Sequence, residues 1–275
     1  MIERVESIVP QAEDGSVILA QLSDPHLFAD RDNVFLGINP YNSLSQVVRQ
    51  LSDEPGVDLV LASGDLSQDH SEASYRQFAD LVAPLGKPVV ALPGNHDAIN
   101  FMARSLADTQ VAMPPRVMMG DWQMILLNSA VTGLPSGHVP LIQQSWLKRI
   151  LEETEETPTL IALHHHPVPT NCAWLDQHSL DNGQEFLALL SRYPQVKAVL
   201  FGHIHQEMDC HVGGLRLLAV PSTSIQFLPR SRGFVLDSRQ PGYRLLRLYP
   251  DGSIDTQVKR LTGGEFVPDP SASGY

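Results

Sequence analysis

Cysteine is nearly absent: the 275 residues hold only Cys172 and Cys210. That is too few for a disulfide framework and fits a reducing cytosol. Basic residues are scarce beside acidic ones, 19 Lys and Arg against 31 Asp and Glu, for a formal net charge of −12. A chain this acidic lacks the basic face that holds long nucleic acid by counterion release. It can still take a small phosphate ester, because bound divalent metals reverse the field inside a pocket. No apolar run approaches the length of a membrane span. Residues 1–14 carry scattered charge and no apolar stretch of the kind a secretory leader needs. The expectation is a soluble cytoplasmic protein without a membrane partner. There is no internal repeat and no dividing linker, so one domain is expected over 16–262. An N-terminal extension (1–15) and an irregular Gly-, Pro- and Ser-rich tail (263–275) would flank it.

What is present is a hydrophobic content of 43% and a charged content of 18%, the balance of an ordinary globular protein. Apolar runs of strand length recur, and several stop at polar turns. Val17–Leu22 stops at Ser23-Asp24-Pro25-His26, Leu59–Ala62 at Ser63-Gly64-Asp65, and Val89–Leu92 at Pro93-Gly94-Asn95-His96-Asp97. Leu160–Leu163 stops at His164-His165-His166-Pro167, and Val199–Phe201 at Gly202-His203-Ile204-His205. Such runs suit strands buried on both faces. Helical spacing lies between them: Leu44, Val47, Val48 and Leu51; Tyr75, Phe78, Leu81 and Val82; and the stretches 141–151 and 184–190. From Cys210 on, consecutive strands take over. Gly213-Gly214 reads as a hairpin turn before Leu215–Val220, and Pro250-Asp251-Gly252 as one between Tyr243–Tyr249 and Ser253–Leu261. The alternation implies an α/β chain with helices wrapped around sheet.

In such sheets the ligand site lies beyond the carboxyl ends of the strands. Five strand ends carrying Asp, Asn and His are therefore candidates to converge. Carboxylate and amide oxygen mixed with imidazole suits Mn²⁺, Fe²⁺ or Zn²⁺ better than Ca²⁺ or a thiolate site. The ligands exceed one ion's needs, and two metals are a known solution for displacement at phosphorus. Each cluster alone has an ordinary reading as a turn or a solvated imidazole. Five in one order, all at strand ends, do not.

That order, D-x-H, G-D, G-N-H-D, H-x-P and G-H-x-H, resembles the calcineurin-like metallophosphoesterases from about Val17 to His205. The resemblance implies a four-layer double β-sandwich flanked by helices and two divalent ions per chain, Fe²⁺ or Mn²⁺ first, with Zn²⁺, Co²⁺ or Mg²⁺ as alternatives. One ion would take Asp24, His26, Asp65 and His205. The other would share Asp65 and take Asn95, His164 and His203. His164, the first residue past its strand, is favoured over His165. His96 is the family's histidine that does not ligate; it would be the catalytic acid, with His26, Asp65, Asn95, His96 and His205 touching the phosphate. Within the family, the strings 21–28, 61–69, 163–169, 172–180 and 202–207, with Pro221-Ser222-Thr223, Gln226-Phe227 and the closing Ser-Gly-Tyr, are similar to the class III cyclic nucleotide phosphodiesterases, the bacterial enzymes acting on 3′,5′-cyclic AMP. What this implies is hydrolysis of cyclic AMP to 5′-AMP, with a hydroxide bridging two ions roughly 3.5–4 Å apart as the nucleophile. Cyclic AMP would be the small-molecule partner, and a homodimer is compatible with the sequence. Glycerophosphodiester or other small-diester hydrolysis is the alternative. A scaffold without catalysis is the reading from another class, against which all seven ligand positions stand intact. Purple acid phosphatases carry a ligating tyrosine where this chain has Gln68.

Other residues have second readings. Trp174, in the loop 169–180 with Asp176 and His178, either stacks on a purine or anchors the loop. Asp97 is expected to orient His96 or cap the next helix. His70, His138 and His211 read as solvated or structural, Trp122 and Trp146 as core, residues 152–156 as a solvated helix end. Cys172 has no base beside it and is not a nucleophile.

Overall fold

The computed structural model describes residues 5–272 and 274; residues 1–4, 273 and 275 lie outside the described residues, and with them parts of both expected terminal segments and of the closing Ser-Gly-Tyr. The strands are β1 (Val5–Ile8), β2 (Val17–Leu22), β3 (Leu59–Ala62), β4 (Val89–Ala91), β5 (Val111–Ala112), β6 (Arg116–Met119), β7 (Trp122–Leu126) and β8 (Thr159–Ala162). They continue with β9 (Val196–Phe201), β10 (Met208–Val212), β11 (Leu215–Ala219), β12 (Gln226–Phe227), β13 (Leu236–Asp237), β14 (Gly242–Leu248) and β15 (Ile254–Arg260). The helices are α1 (Pro40–Ser52), α2 (Glu72–Val82), α3 (Ile99–Leu106), α4 (Leu141–Glu153) and α5 (Gly183–Leu190).

Two large sheets face each other. One has the order β15-β14-β2-β3-β4-β5, the other β1-β6-β7-β8-β9-β11-β10, and β12-β13 is a small third pair. Strands β2 to β5 run parallel, as do β7, β8, β9 and β11. Side chains of a strand alternate between faces, and here both faces are apolar. Val17, Leu19, Leu59, Leu61 and Val90 point into a core shared with Val117, Met124, Leu160, Ala198 and Leu200 of the other sheet. Their neighbours Ala20, Leu22, Val60 and Ala62 face outward, in the core that holds Leu44, Val47 and Leu51 of α1 and Tyr75 and Phe78 of α2. Ile161 and Val199 likewise belong with Leu147 and Ile150 of α4 and Phe186 of α5. This is the expected double sandwich with helices outside it. Two of the helices, α1 and α2, start at side-chain caps: Asn39 accepts from the Asn42 N–H ahead of Pro40, and Ser71 from the Ser74 N–H.

The runs read as strands and helices all appear, most within a residue or two at their ends, while β9, β10, α1 and α2 begin three or four residues earlier than read. Absent from that reading are β1, which pairs in parallel with β6, the β6–β7 hairpin, and the short strands β5, β12 and β13. No helix among the described residues is long and apolar enough to cross a membrane. Cys172 and Cys210 are unpaired.

Candidate metal centre

The parallel strands of both sheets end at the same edge, and the loops that leave them meet. The six-stranded sheet delivers Asp24 and His26 after β2, Asp65 after β3, and Asn95 and His96 after β4; the other delivers His164 after β8 and His203 and His205 after β9. Hydrogen bonds across the gap fix the register. The His203 N–H donates to both oxygens of Asp24 at 3.1 Å, and the Gln21 amide donates to Phe201 O at 3.2 Å. Within the six-stranded sheet, Asp24 N donates to Gly64 O and His26 N to Asp65 O.

Turning sharply enough to aim these side chains inward costs backbone freedom. Asp24, His26, Asp65, His203 and His205 all have positive φ, between 48° and 65°. That region is sparsely populated by residues other than glycine and clusters at functional sites. Glycine supplies the room: a Cβ on Gly94 would fall against Asp65 Oδ1 and its carboxyl carbon, and one on Gly64 against the His164 ring.

The seven expected ligands come together. Asp24, His26 and His205 form one buried group, and Asp65, His164 and His203 a second, each with its ligand atoms within 4.8 Å of one another. Between them, Asp65 Oδ2 lies 3.2 Å from His164 Nε2 and 3.9 Å from His26 Nε2. Asn95 Oδ1 is 3.2 Å from His164 Nε2, and His26 and His205 bring their Nε2 atoms to 3.2 Å. His165 turns away: its Nδ1 meets Ser129 Oγ at 2.8 Å, and its ring packs against the His203 ring at 4.7 Å.

The test of fit to metal is what each ring nitrogen faces. Nδ1 of His26, His164 and His205 lies beside Gln68 Oε1 (2.8 Å), Ser63 O (2.8 Å) and Ile225 O (2.9 Å). Each of those oxygens is an acceptor, so Nδ1 carries the proton and Nε2 presents its lone pair to the centre. Asp65 Oδ2 and both nitrogens of His203 are buried without a hydrogen-bond partner among the described residues. Orphaned buried acceptors and inward lone pairs, sited around two carboxylates, fit cations.

Electrostatics agree. Burial opposes the charge of Asp24 and Asp65, but the surrounding imidazoles outweigh it and hold both carboxyls below the ordinary range. Burial also opposes charge on His164, where Asp65 and Asp24 win and hold the ring up at about 9; without an ion its Nε2 carries a proton too, a positive charge in the place a cation would take. His26 goes the other way, down to about 3, because burial dominates over Asp65. Burial likewise lowers His96, against the pull of Asp65.

His96 belongs to neither ligand group. Its backbone N–H donates to Asp65 Oδ1 at 2.8 Å, and its ring stands edge-on to His26 at 5.1 Å. With Asn95 and His203 it lines an open cavity of about 380 Å³, walled by His70, Gly133, Leu134, Pro135 and His178.

One expectation is overturned and one open alternative is decided. Asp97 neither orients His96 nor caps α3: its carboxylate accepts from the N–H groups of Leu66, Ser67 and Gly94, and Ala98 begins the helix without a side-chain cap. Asp97 thus ties the β3 turn to the β4 turn. Trp174 anchors its loop, packing edge-on against Phe227 (4.9 Å) and Phe234 (5.3 Å) while its indole N–H donates to Ser231 Oγ. Phe227 in turn stacks on the His205 ring at 4.2 Å, so the anchor ends on a candidate ligand. His138 is tied to Asp181 at 2.6 Å, a structural role, and Trp146 is only partly buried. Gln68, notable in the sequence only for not being a tyrosine, is the hydrogen-bond partner of His26 Nδ1.

The chain belongs to the calcineurin-like phosphoesterase family, whose model matches residues 18–207. Among its relatives, the 3′,5′-cyclic adenosine monophosphate phosphodiesterase CpdA of Escherichia coli strain K12 is 44% identical over 269 residues, 97% of this chain and 98% of that protein. The protein of the same name from Pseudomonas aeruginosa is 42% identical over 265 residues, 96% and 97% of the two chains. Among solved structures, a purple acid phosphatase of yellow lupin superposes with a TM-score of 0.67 at 16% identity, covering 92% of this chain and 53% of that one. At such identity the likeness is one of fold.

Proposed function

We propose that this chain is a metal-dependent phosphodiesterase that hydrolyses 3′,5′-cyclic AMP to 5′-AMP. The observation that carries the reading is the pair of buried ligand groups meeting at Asp65 beneath an open cavity. The near full-length likeness to cyclic AMP phosphodiesterases supports the choice of substrate.

Asp24, His26, Asp65 and His205 would hold one ion, and Asp65, Asn95, His164 and His203 the other. The nitrogen and oxygen donor set, without thiolate, favours Fe²⁺ or Mn²⁺. Bound there, the two ions supply Lewis acidity, offsetting the charge of the phosphate and lowering the pKa of the attacking water. The protein does the rest. Gln68, Ser63 and Ile225 hold three imidazoles in one tautomer, and Asp97 locks two of the ligand-bearing turns together. Water adds to phosphorus opposite O3′, the P–O3′ bond breaks, His96 in its protonated form gives a ring proton to O3′, and the surplus proton of the added water restores that form. The full ligand set comes from one chain, so the centre needs no residue from a second copy. The unpaired cysteines suit a reducing compartment such as the cytoplasm.

Protein stripped of metal and reloaded with Mn²⁺ or Fe²⁺ should convert cyclic AMP to 5′-AMP, and the stripped protein should not. Turnover of glycerophosphodiesters but not of cyclic AMP, or release of 3′-AMP, would overturn the reading.

A further inference from the structure

A second cavity opens beside the one over the ligands. It measures about 400 Å³ and shares His70, Asn95 and Gly133 with its neighbour. Its far wall has a different character: Ile99, Asn100 and Phe101 of the first turn of α3 on one side, and Asn128 and Val131 on the other. Of the seven expected ligands only Asn95 lines it. A cyclic nucleotide whose phosphate sits at Asn95 and His96 must send its base somewhere, and this space adjoins the phosphate position directly.

Phe101 is 44% exposed where it lines this cavity. The Arg104 guanidinium lies 4.8 Å over the ring centroid, so the ring is held by a neighbour one turn along its own helix. An aromatic face is a platform on which a base stacks.

Asn128 is partly buried, and its environment fixes what it can offer. Gln143 of α4 grips its backbone from both sides: Asn128 N donates to Gln143 Oε1 at 3.0 Å, and Gln143 Nε2 donates to Asn128 O at 2.7 Å. The Ala130 N–H then occupies Asn128 Oδ1 at 2.9 Å. Among the described residues the amide NH₂ donates to nothing. A residue so clamped presents a donor in the cavity and cannot readily turn over to present an acceptor.

We propose that this cavity is the purine site, with Phe101 as the stacking platform and the Asn128 amide NH₂ as a fixed donor that favours adenine over guanine. The two bases differ at the edge such a donor meets: adenine N1 accepts a hydrogen bond, whereas guanine N1 carries a hydrogen. Facing a donor with a donor leaves both unpaired, which is how a polar site rejects a near-isostere. The inference rests on the cyclic AMP reading above and adds base selection to it.

The test is steady-state kinetics of the metal-loaded full chain on cyclic AMP, cyclic GMP and a base-free diester, methyl p-nitrophenyl phosphate. Phe101→Ala should lower the ratio of kcat/KM for cyclic AMP to that for the base-free diester about tenfold, mainly through KM; Phe101→Trp, which keeps a ring, should recover most of the loss. Asn128→Asp still accepts from the Ala130 N–H but offers an acceptor in place of the NH₂, so the preference for cyclic AMP over cyclic GMP should fall about tenfold. Metal content and melting temperature accompany each variant. If Asn128→Asp does not fold, the Phe101 pair decides alone. Unchanged ratios in folded, metal-replete variants would overturn the purine site while leaving the phosphodiesterase reading intact. A wild-type enzyme inert toward cyclic AMP but active on the base-free diester would overturn that reading itself.

Discussion

Gln68 holds His26 by the nitrogen that faces away from the centre: its amide oxygen stands 2.8 Å from Nδ1, and Nε2 is thereby turned toward Asp65 and His205. Partners of this kind set the tautomer and orientation of a ligating imidazole, and losing one typically costs about 10–100-fold in metal affinity. Gln68→Ala should therefore weaken one ion selectively, by about that factor. Competition titration with a metal-sensitive dye, resolving two sites, checks it; equal weakening of both sites, or of neither, would disconnect Gln68 from the centre.

Asp65 is placed between the two ligand groups, so its loss should be felt by both ions. Asp65→Ala should bind less than one metal per chain, whereas His26→Ala should keep about one. Elemental analysis after gel filtration separates the cases, and two ions retained in the Asp65 variant would end its assignment as a bridge.

The triple histidine offers a sharper comparison. His164→Ala should lose metal and activity together. His165→Ala should keep its metals and lose only packing and the Ser129 contact, a drop in melting temperature of about 2–4 °C for a cost near 1 kcal/mol in a chain of this size. The reverse pattern would shift the ligand by one residue.

For His96, the expected signature is a dependence on the leaving group. His96→Ala should retain both ions yet hydrolyse cyclic AMP about 10²–10⁴-fold more slowly. With a p-nitrophenolate leaving group, which needs little help from a proton, the deficit should shrink. An equal loss in kcat on both substrates would mean that His96 only positions the phosphate.

Much of this centre was legible in the sequence because its ligands sit directly after short apolar strands, each closed by glycine or proline. Strand ends at one edge of an α/β sheet are a place, and residues there share a destination. The β6–β7 hairpin was hidden for a local reason. Gly120-Asp121 is a two-residue turn joining Met119 to Trp122, but the second strand buries Gln123, whose amide NH₂ donates to the Thr154 and Thr159 hydroxyls. A polar residue whose partners lie more than thirty positions away breaks the apolar pattern without breaking the strand. β1 was hidden because its partner β6 begins more than a hundred residues on. Gln68 and the carbonyls of Ser63 and Ile225 carry no motif; what they do follows only from where the turns place them. Asp97 stood beside the right histidine, and adjacency suggested a contact that the backbone donors of Leu66, Ser67 and Gly94 had already claimed.

Each of the two ligand groups draws on both large sheets: Asp24 and His26 from one with His205 from the other, and Asp65 from one with His164 and His203 from the other. An ion held in either group is therefore a cross-link between the halves of the sandwich, and ligand that binds only the folded state adds to its stability. Metal supply then governs how long the chain survives as well as how fast it works. Protein stripped of its ions should therefore open along the seam between the halves at a lower temperature than the loaded protein.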